Sequence, residues 1–82
     1  MENTELKSLE YYISNKIAKI LKVDPEEIDL EKAFADYGID SITAIRMVGE
    51  LEDYLDIELP SSLLWEYNSV RKLSEYLISL LN

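Results

Sequence analysis

Asp36-Tyr37-Gly38-Ile39-Asp40-Ser41-Ile42 sets a turn glycine and an acid immediately before a serine that opens an amphipathic stretch. Gly38 is a natural position for a positive φ, because it lacks the Cβ that penalises the left-handed region. Asp40 or Ser41 then offers a side-chain oxygen to cap a helix. From Ser41 to Leu55, the residues Ala44, Met47, Val48, Leu51 and Leu55 recur at helical spacing and form a core stripe. Ile42, Ile45 and Gly49 make a second stripe beside it, bordered by Glu52 and Asp53. That strip is either a docking surface or the edge of a wide core face. A helix start also presents unpaired N–H groups at the positive end of its dipole, so a phosphate ester on Ser41 would be favourably placed.

Upstream, Leu6, Leu9, Ile13, Ile17, Ile20 and Leu21 share one helical face, which predicts a first helix from Thr4 to Lys22. Glu2 and Glu5 at its start and Lys19 and Lys22 at its end oppose the macrodipole. Val23-Asp24-Pro25 stops it, since the residue before proline is pushed out of helical geometry. The connection from Asp24 to Asp40 is long, with room for one turn led by Pro25 and with Ile28, Leu30 and Phe34 spaced to pin it to the core.

Downstream, Asp56-Ile57-Glu58-Leu59-Pro60 interrupts the pattern, and Ser61 or Ser62 can cap a short segment through Leu63, Leu64 and Trp65. Asn68 or Ser69 caps a last helix whose stripe is Val70, Leu73, Leu77, Leu80 and Leu81. The expectation is an all-α bundle of three main helices plus one short helix, with a long loop between the first and second, and residues 1–82 forming a single domain.

Composition narrows the function. Cysteine and histidine are absent, which removes thiolate nucleophiles, imidazole bases and the usual zinc or copper ligands. Neither Asp24 nor Asp36 opens a loop with the glycine and glutamate that a calcium hand requires, so no metal site is expected. The net charge is −9, and Asp24 to Glu58 alone carries twelve acids against Lys32 and Arg46. Such a field argues against nucleic acid and implies either a basic partner surface or a solvated acidic face. Apolar runs are short and broken by polar residues, and Met1-Glu2-Asn3-Thr4-Glu5 has no secretory pattern, so a monomer in the cytoplasm, without membrane contact, is expected.

Gly38-x-Asp40-Ser41-Ile42, preceded by a long loop and followed by Leu59-Pro60, a short aromatic segment and a final amphipathic helix, resembles the acyl carrier protein family along nearly the whole chain. The resemblance implies that the chain is not itself an enzyme. A phosphopantetheinyl transferase, using coenzyme A and magnesium, would join 4′-phosphopantetheine to Ser41, with Gly38 and Asp40 shaping the attachment site. The arm's thiol would then supply the sulfur that the chain lacks and carry acyl groups as thioesters. Ile42, Ile45, Arg46, Gly49, Glu52 and Asp53 match the face that family members present to partners such as an acyltransferase or ketosynthase, and Trp65 joins that face unless it belongs to the core. Charge reversal at Glu52 and Asp53 is expected to slow those partners while leaving stability nearly unchanged.

Leu59-Pro60-Ser61-Ser62-Leu63-Leu64-Trp65 is more similar to polyketide-synthase carriers than to fatty-acid carriers, whose third segment is more acidic. Arg46 points the same way, standing where fatty-acid carriers usually place an acid. Gly49 costs its helix about 1 kcal/mol against alanine, so either a partner approaches closely there or the loss is tolerated at an exposed position. Asn68-Ser69 replaces the Pro-Thr of many polyketide and peptide carriers, a change that caps the helix equally well. Ile39 separates Gly38 from Asp40, unlike the common pattern in peptide carriers, which disfavours a peptidyl or aminoacyl cargo. The chain reads as a free-standing carrier, and the rival from another class is an unmodified helical interaction module in which Ser41 is only a cap.

Overall fold

A computed structural model describes residues 4–81 of the chain. Four α-helices follow in order: α1 (Thr4–Leu21), α2 (Ser41–Leu55), α3 (Leu63–Glu66) and α4 (Val70–Leu81), with 3₁₀ turns at Pro25–Glu27 and Phe34–Tyr37. Three long helices and one short one therefore match the expected all-α bundle. Glu2, assigned above to the first helix's acidic start, lies outside the described residues, whereas Glu5 sits in the first turn of α1 and Lys19 in its last.

The end of α1 differs by one residue from the sequence expectation. Lys22 leaves the helix with a φ of 62°, and Val23 N–H returns to the Ala18 carbonyl at 3.0 Å. A non-glycine residue thus takes the left-handed closing position, and the Schellman-type bond from the residue after it satisfies an otherwise orphaned carbonyl.

Leu9, Ile13 and Ile17 are buried as expected, but so are Glu10, Ser14 and Ala18, while Ile20 is 45% exposed. The buried face of α1 is thus rotated towards its polar positions. Burying Glu10 is possible because Arg71 Nε on α4 donates to its Oε2 at 2.7 Å, and Arg71 Nη1 reaches Glu31 Oε2 at 3.0 Å. One guanidinium therefore ties α1, the long connection and α4 together. On α4, Val70, Leu73, Ser74 and Leu77 are buried, whereas Leu80 and Leu81 are exposed, contrary to the predicted stripe. On α2, Ala44, Met47, Val48 and Leu51 face the core and Leu55 is half-buried at its edge.

The long connection is pinned, as its apolar spacing predicts. Phe34 is fully buried and Ile28 and Ile39 nearly so. Its backbone joins the start of α4: Phe34 N–H donates to the Asn68 carbonyl at 2.8 Å, and Arg71 N–H to the Leu30 carbonyl at 2.9 Å. Tyr37 closes the loop on itself, its hydroxyl accepting from Asp29 N–H at 2.6 Å and donating to the Asp29 carbonyl at 3.2 Å.

Candidate functional site

Tyr37 ends the second 3₁₀ turn, and Gly38 follows at φ 79°, with its N–H bonded to the carbonyls of Ala35 and Phe34. A side chain at Gly38 would meet nothing within 4 Å, so the requirement for glycine there is conformational and not steric. The next residue, Ile39, drops into the core. That explains the extra residue between Gly38 and Asp40: it anchors the chain just before the helix begins.

Asp40, not Ser41, is the cap. It is extended, with φ −90° and ψ 179°, and its Oδ1 accepts the Thr43 N–H at 2.8 Å while its carbonyl accepts Ala44 N–H at 2.9 Å. The Thr43 N–H holds the Asp40 carboxyl below the ordinary carboxylate range, so the cap is ionised at neutral pH. Ser41 is the first residue of α2 and is exposed. With the backbone capped by its neighbour, Ser41 stands exposed at the positive end of a fifteen-residue helix. These features fit a phosphodiester at Ser41: the oxygen is reachable, and the first-turn N–H groups that lack helical partners lie beside it.

Along the outer surface of α2, Ile42 is 70% and Ile45 53% exposed, which removes the wide-core alternative for that strip. Arg46 and Asp53 are exposed and Gly49 is half-buried with open space where a side chain would point. Trp65 on α3 is 44% exposed and does not belong to the core. Glu52 departs from the reading of a free surface charge. It is half-buried, and its Oε2 accepts the Leu59 N–H at 2.7 Å, clasping the connection after α2 to the helix itself. The expectation that its reversal leaves stability nearly unchanged is therefore corrected. Nothing in the local pattern distinguishes this glutamate from Asp53, because its partner is a backbone group seven positions away.

Ser62 precedes α3, but its hydroxyl donates to Glu66 Oε2 at 2.8 Å instead of capping the backbone. At α4 the cap is Ser69, whose Oγ accepts Lys72 N–H at 3.2 Å.

The fold and site together define a small helical body that presents a serine at a helix mouth. Residues 12–77 match the family model described as the phosphopantetheine attachment site, and the chain belongs to that phosphopantetheine-binding carrier family. Among curated relatives it is 39% identical over 67 residues to polyketide synthase PksR of Bacillus subtilis, covering 82% of this chain and 3% of that protein. The chain thus spans only a few per cent of the length of such relatives. Among solved structures, a free-standing peptidyl carrier protein from Acinetobacter baumannii is 40% identical with a TM-score of 0.89, covering 98% of this chain and all of that one. An acyl carrier protein from Anabaena sp. PCC 7120 with a variant phosphopantetheinylation-site sequence is 29% identical with a TM-score of 0.88, covering 98% of this chain and 91% of that one. The cofactor of the family is phosphopantetheine, its domains are generally non-catalytic carriers, and the curated relative named above is a polyketide synthase. Among the described residues, no helix is long and apolar enough to cross a membrane.

Proposed function

We propose that Ser41 receives the phosphopantetheine and that residues 1–82 act as one carrier domain, a monomer in the cytoplasm, for acyl intermediates of polyketide-type or related biosynthesis. The observation that carries this reading is the exposed hydroxyl at the start of α2, held in place by the Gly38 turn and the Asp40 cap inside an attachment-site domain.

The Ser41 Oγ attacks the pantetheine-bearing phosphorus of coenzyme A. An O–P bond forms, the bond to the nucleotide phosphate breaks, and the hydroxyl proton passes to a base on a phosphopantetheinyl transferase. When bound, the group supplies the thiol on which acyl thioesters are carried. Asp40 fixes the helix mouth and, as an ionised carboxylate beside Ser41, would help the transferase place its own metal and cofactor there. Ile42, Ile45, Arg46, Gly49, Asp53 and Trp65 form the face for the transferase and for acyltransferase or ketosynthase partners, with Glu52 holding its edge in shape. Such contacts are small and transient, as a relay requires.

Incubation with coenzyme A and a promiscuous transferase is expected to add one phosphopantetheinyl mass to the protein. Ser41→Ala should abolish the addition with the helical circular-dichroism spectrum unchanged. An unmodified mass with several transferases would favour the interaction module instead. A peptidyl carrier is the second reading, supported by the similarity to the Acinetobacter baumannii protein. The acyl reading is supported by the polyketide synthase relatives and by the Gly38-Ile39-Asp40 spacing. The mass of the loaded species from the native host separates them, since an aminoacyl group and a carboxyacyl group differ in elemental composition.

A further inference from the structure

α2 presents two different flanks. Ser41, Ile45 and Glu52 share the flank that turns towards the Leu59 connection and α3, by helical spacing and by the Glu52 clasp. Thr43, Arg46 and Glu50 lie on the opposite flank and face Lys16, Lys19 and Ile20 of α1 across an open depression of about 260 Å³. A second depression of about 390 Å³ shares Lys16 and Lys19 and adds Tyr11, Tyr12 and Tyr54, so the two form one continuous groove between α1 and α2.

This groove has the wrong sign for the rest of the molecule. It carries Lys16, Lys19 and Arg46 against Glu50 alone, on a chain of net charge −9. Lys16 is paired with Glu50 at 3.2 Å, which leaves Lys19 and Arg46 as exposed cations with no ion pair among the described residues. Its apolar component is exposed as well: Tyr11 at 64%, Tyr54 at 53% and Ile20 at 45%. Across the groove Tyr12 of α1 and Tyr54 of α2 stack with ring centroids 3.8 Å apart and nearly parallel planes, and Lys16 Nζ lies 5.2 Å from the Tyr12 centroid. Tyrosine and arginine in a preformed concave surface are the composition of a protein interface centre.

We propose that the α1/α2 groove is a second docking surface and that its occupant is an acidic, apolar-centred helical segment of a partner protein. Charge complementarity selects the occupant. An acidic segment is attracted to Lys19 and Arg46 but repelled by the acidic connection and by Asp53 and Asp56, so the groove favours it over a basic one. The groove follows α1 from Ser8 to Ile20, about 18 Å at the rise of an α-helix, which suits roughly three turns of a partner helix. A longer polyanion such as a nucleic acid would run off the basic island into the acidic field. A partner seated here borders the proposed face at Arg46 but leaves Ser41, Ile45 and Trp65 uncovered, so the carrier can be held by one protein while another reaches the serine.

This inference does not depend on modification of Ser41, and its test uses the full unmodified chain. The isotope-labelled protein is titrated with a synthetic four-turn helical peptide bearing leucines along one face and glutamates on both flanks, and with the same peptide carrying lysines instead. The glutamate peptide is expected to shift the amides of Lys16, Lys19, Ile20, Thr43, Arg46 and Glu50, more weakly as salt rises. Lys19→Glu with Arg46→Glu should weaken it at least about tenfold, and the milder Lys19→Gln with Arg46→Gln should weaken it less, both with near-normal melting temperatures. Ser41→Ala should bind like the parent. The proposal is overturned if no shifts appear at millimolar peptide, if the lysine peptide binds as well, or if the shifts centre on Ile45 and Trp65. Concentration-dependent self-association through the same residues, or tighter binding of a DNA oligonucleotide there, would also overturn it.

Discussion

The two connections that bracket α2 both reach the core but are tied down over different distances. The upstream one, residues 22–40, buries Ile28, Phe34 and Ile39 and bonds its backbone to the start of α4, far away in sequence. The downstream one, residues 56–62, starts with Asp56 in the left-handed region and buries Leu59 with Ile57 packed against the same core, but it is tied back only to α2, through Glu52, whose carbonyl accepts Ile57 N–H and whose carboxylate accepts Leu59 N–H. The connection at the serine end of α2 is therefore joined by hydrogen bonds to a distant helix, and that at its other end to a glutamate of α2 itself. Ser41 thus stands at a position set by the packing of the whole bundle, although the chain before it is irregular.

The largest expected effect comes from removing the upstream anchor. Phe34→Ala empties a fully enclosed position and should lower unfolding free energy by about 3–5 kcal/mol, read by chemical denaturation. Because the Phe34 carbonyl accepts the Gly38 and Ile39 N–H groups, loosening its anchor should slow phosphopantetheine loading at Ser41 as well; a stable variant loaded at the parental rate would break the contrast drawn here.

Removing the downstream clasp should cost less. Glu52→Ala leaves the Leu59 N–H without its acceptor, a loss of about 1–3 kcal/mol, while Glu52→Gln keeps an acceptor oxygen and should recover most of it. Equal destabilisation by both variants would mean that the charge matters and the hydrogen bond does not. Asp53→Lys, on an exposed neighbour, should scarcely alter melting.

Gly38→Ala tests the turn between the anchor and the serine. The added methyl meets no atom, so the cost is confined to the backbone at φ 79° and should be about 1 kcal/mol. A much larger loss would show that the turn is tightly packed.

The smallest effect is a pH slope. The Asp40 carboxyl is held low by Thr43 N–H, so its share of stability is complete above the unfolded carboxylate range and disappears as pH falls through the lower folded value. Asp40→Asn keeps an oxygen for the cap and should flatten that part of the acid limb in denaturation curves; an unchanged limb would assign the slope to other carboxylates.

Much of this was legible in the residues. Helical spacing located α1, α2 and α4, Pro25 and Gly38 marked the turns, and Asp40-Ser41 marked the mouth of α2. Spacing fixes the angle between two side chains on one helix, however, and not the angle at which that helix meets its neighbours. Glu10, Ser14 and Ser74 could thus be buried and Ile20, Leu80 and Leu81 exposed without breaking the period. The Glu52 clasp, the Arg71 tie and the cationic groove between α1 and α2 each join groups distant along the chain. Local chemistry determined which segments are helices and where the serine stands; only tertiary packing decided which faces they bury, because that choice belongs to pairs of helices and not to any one of them.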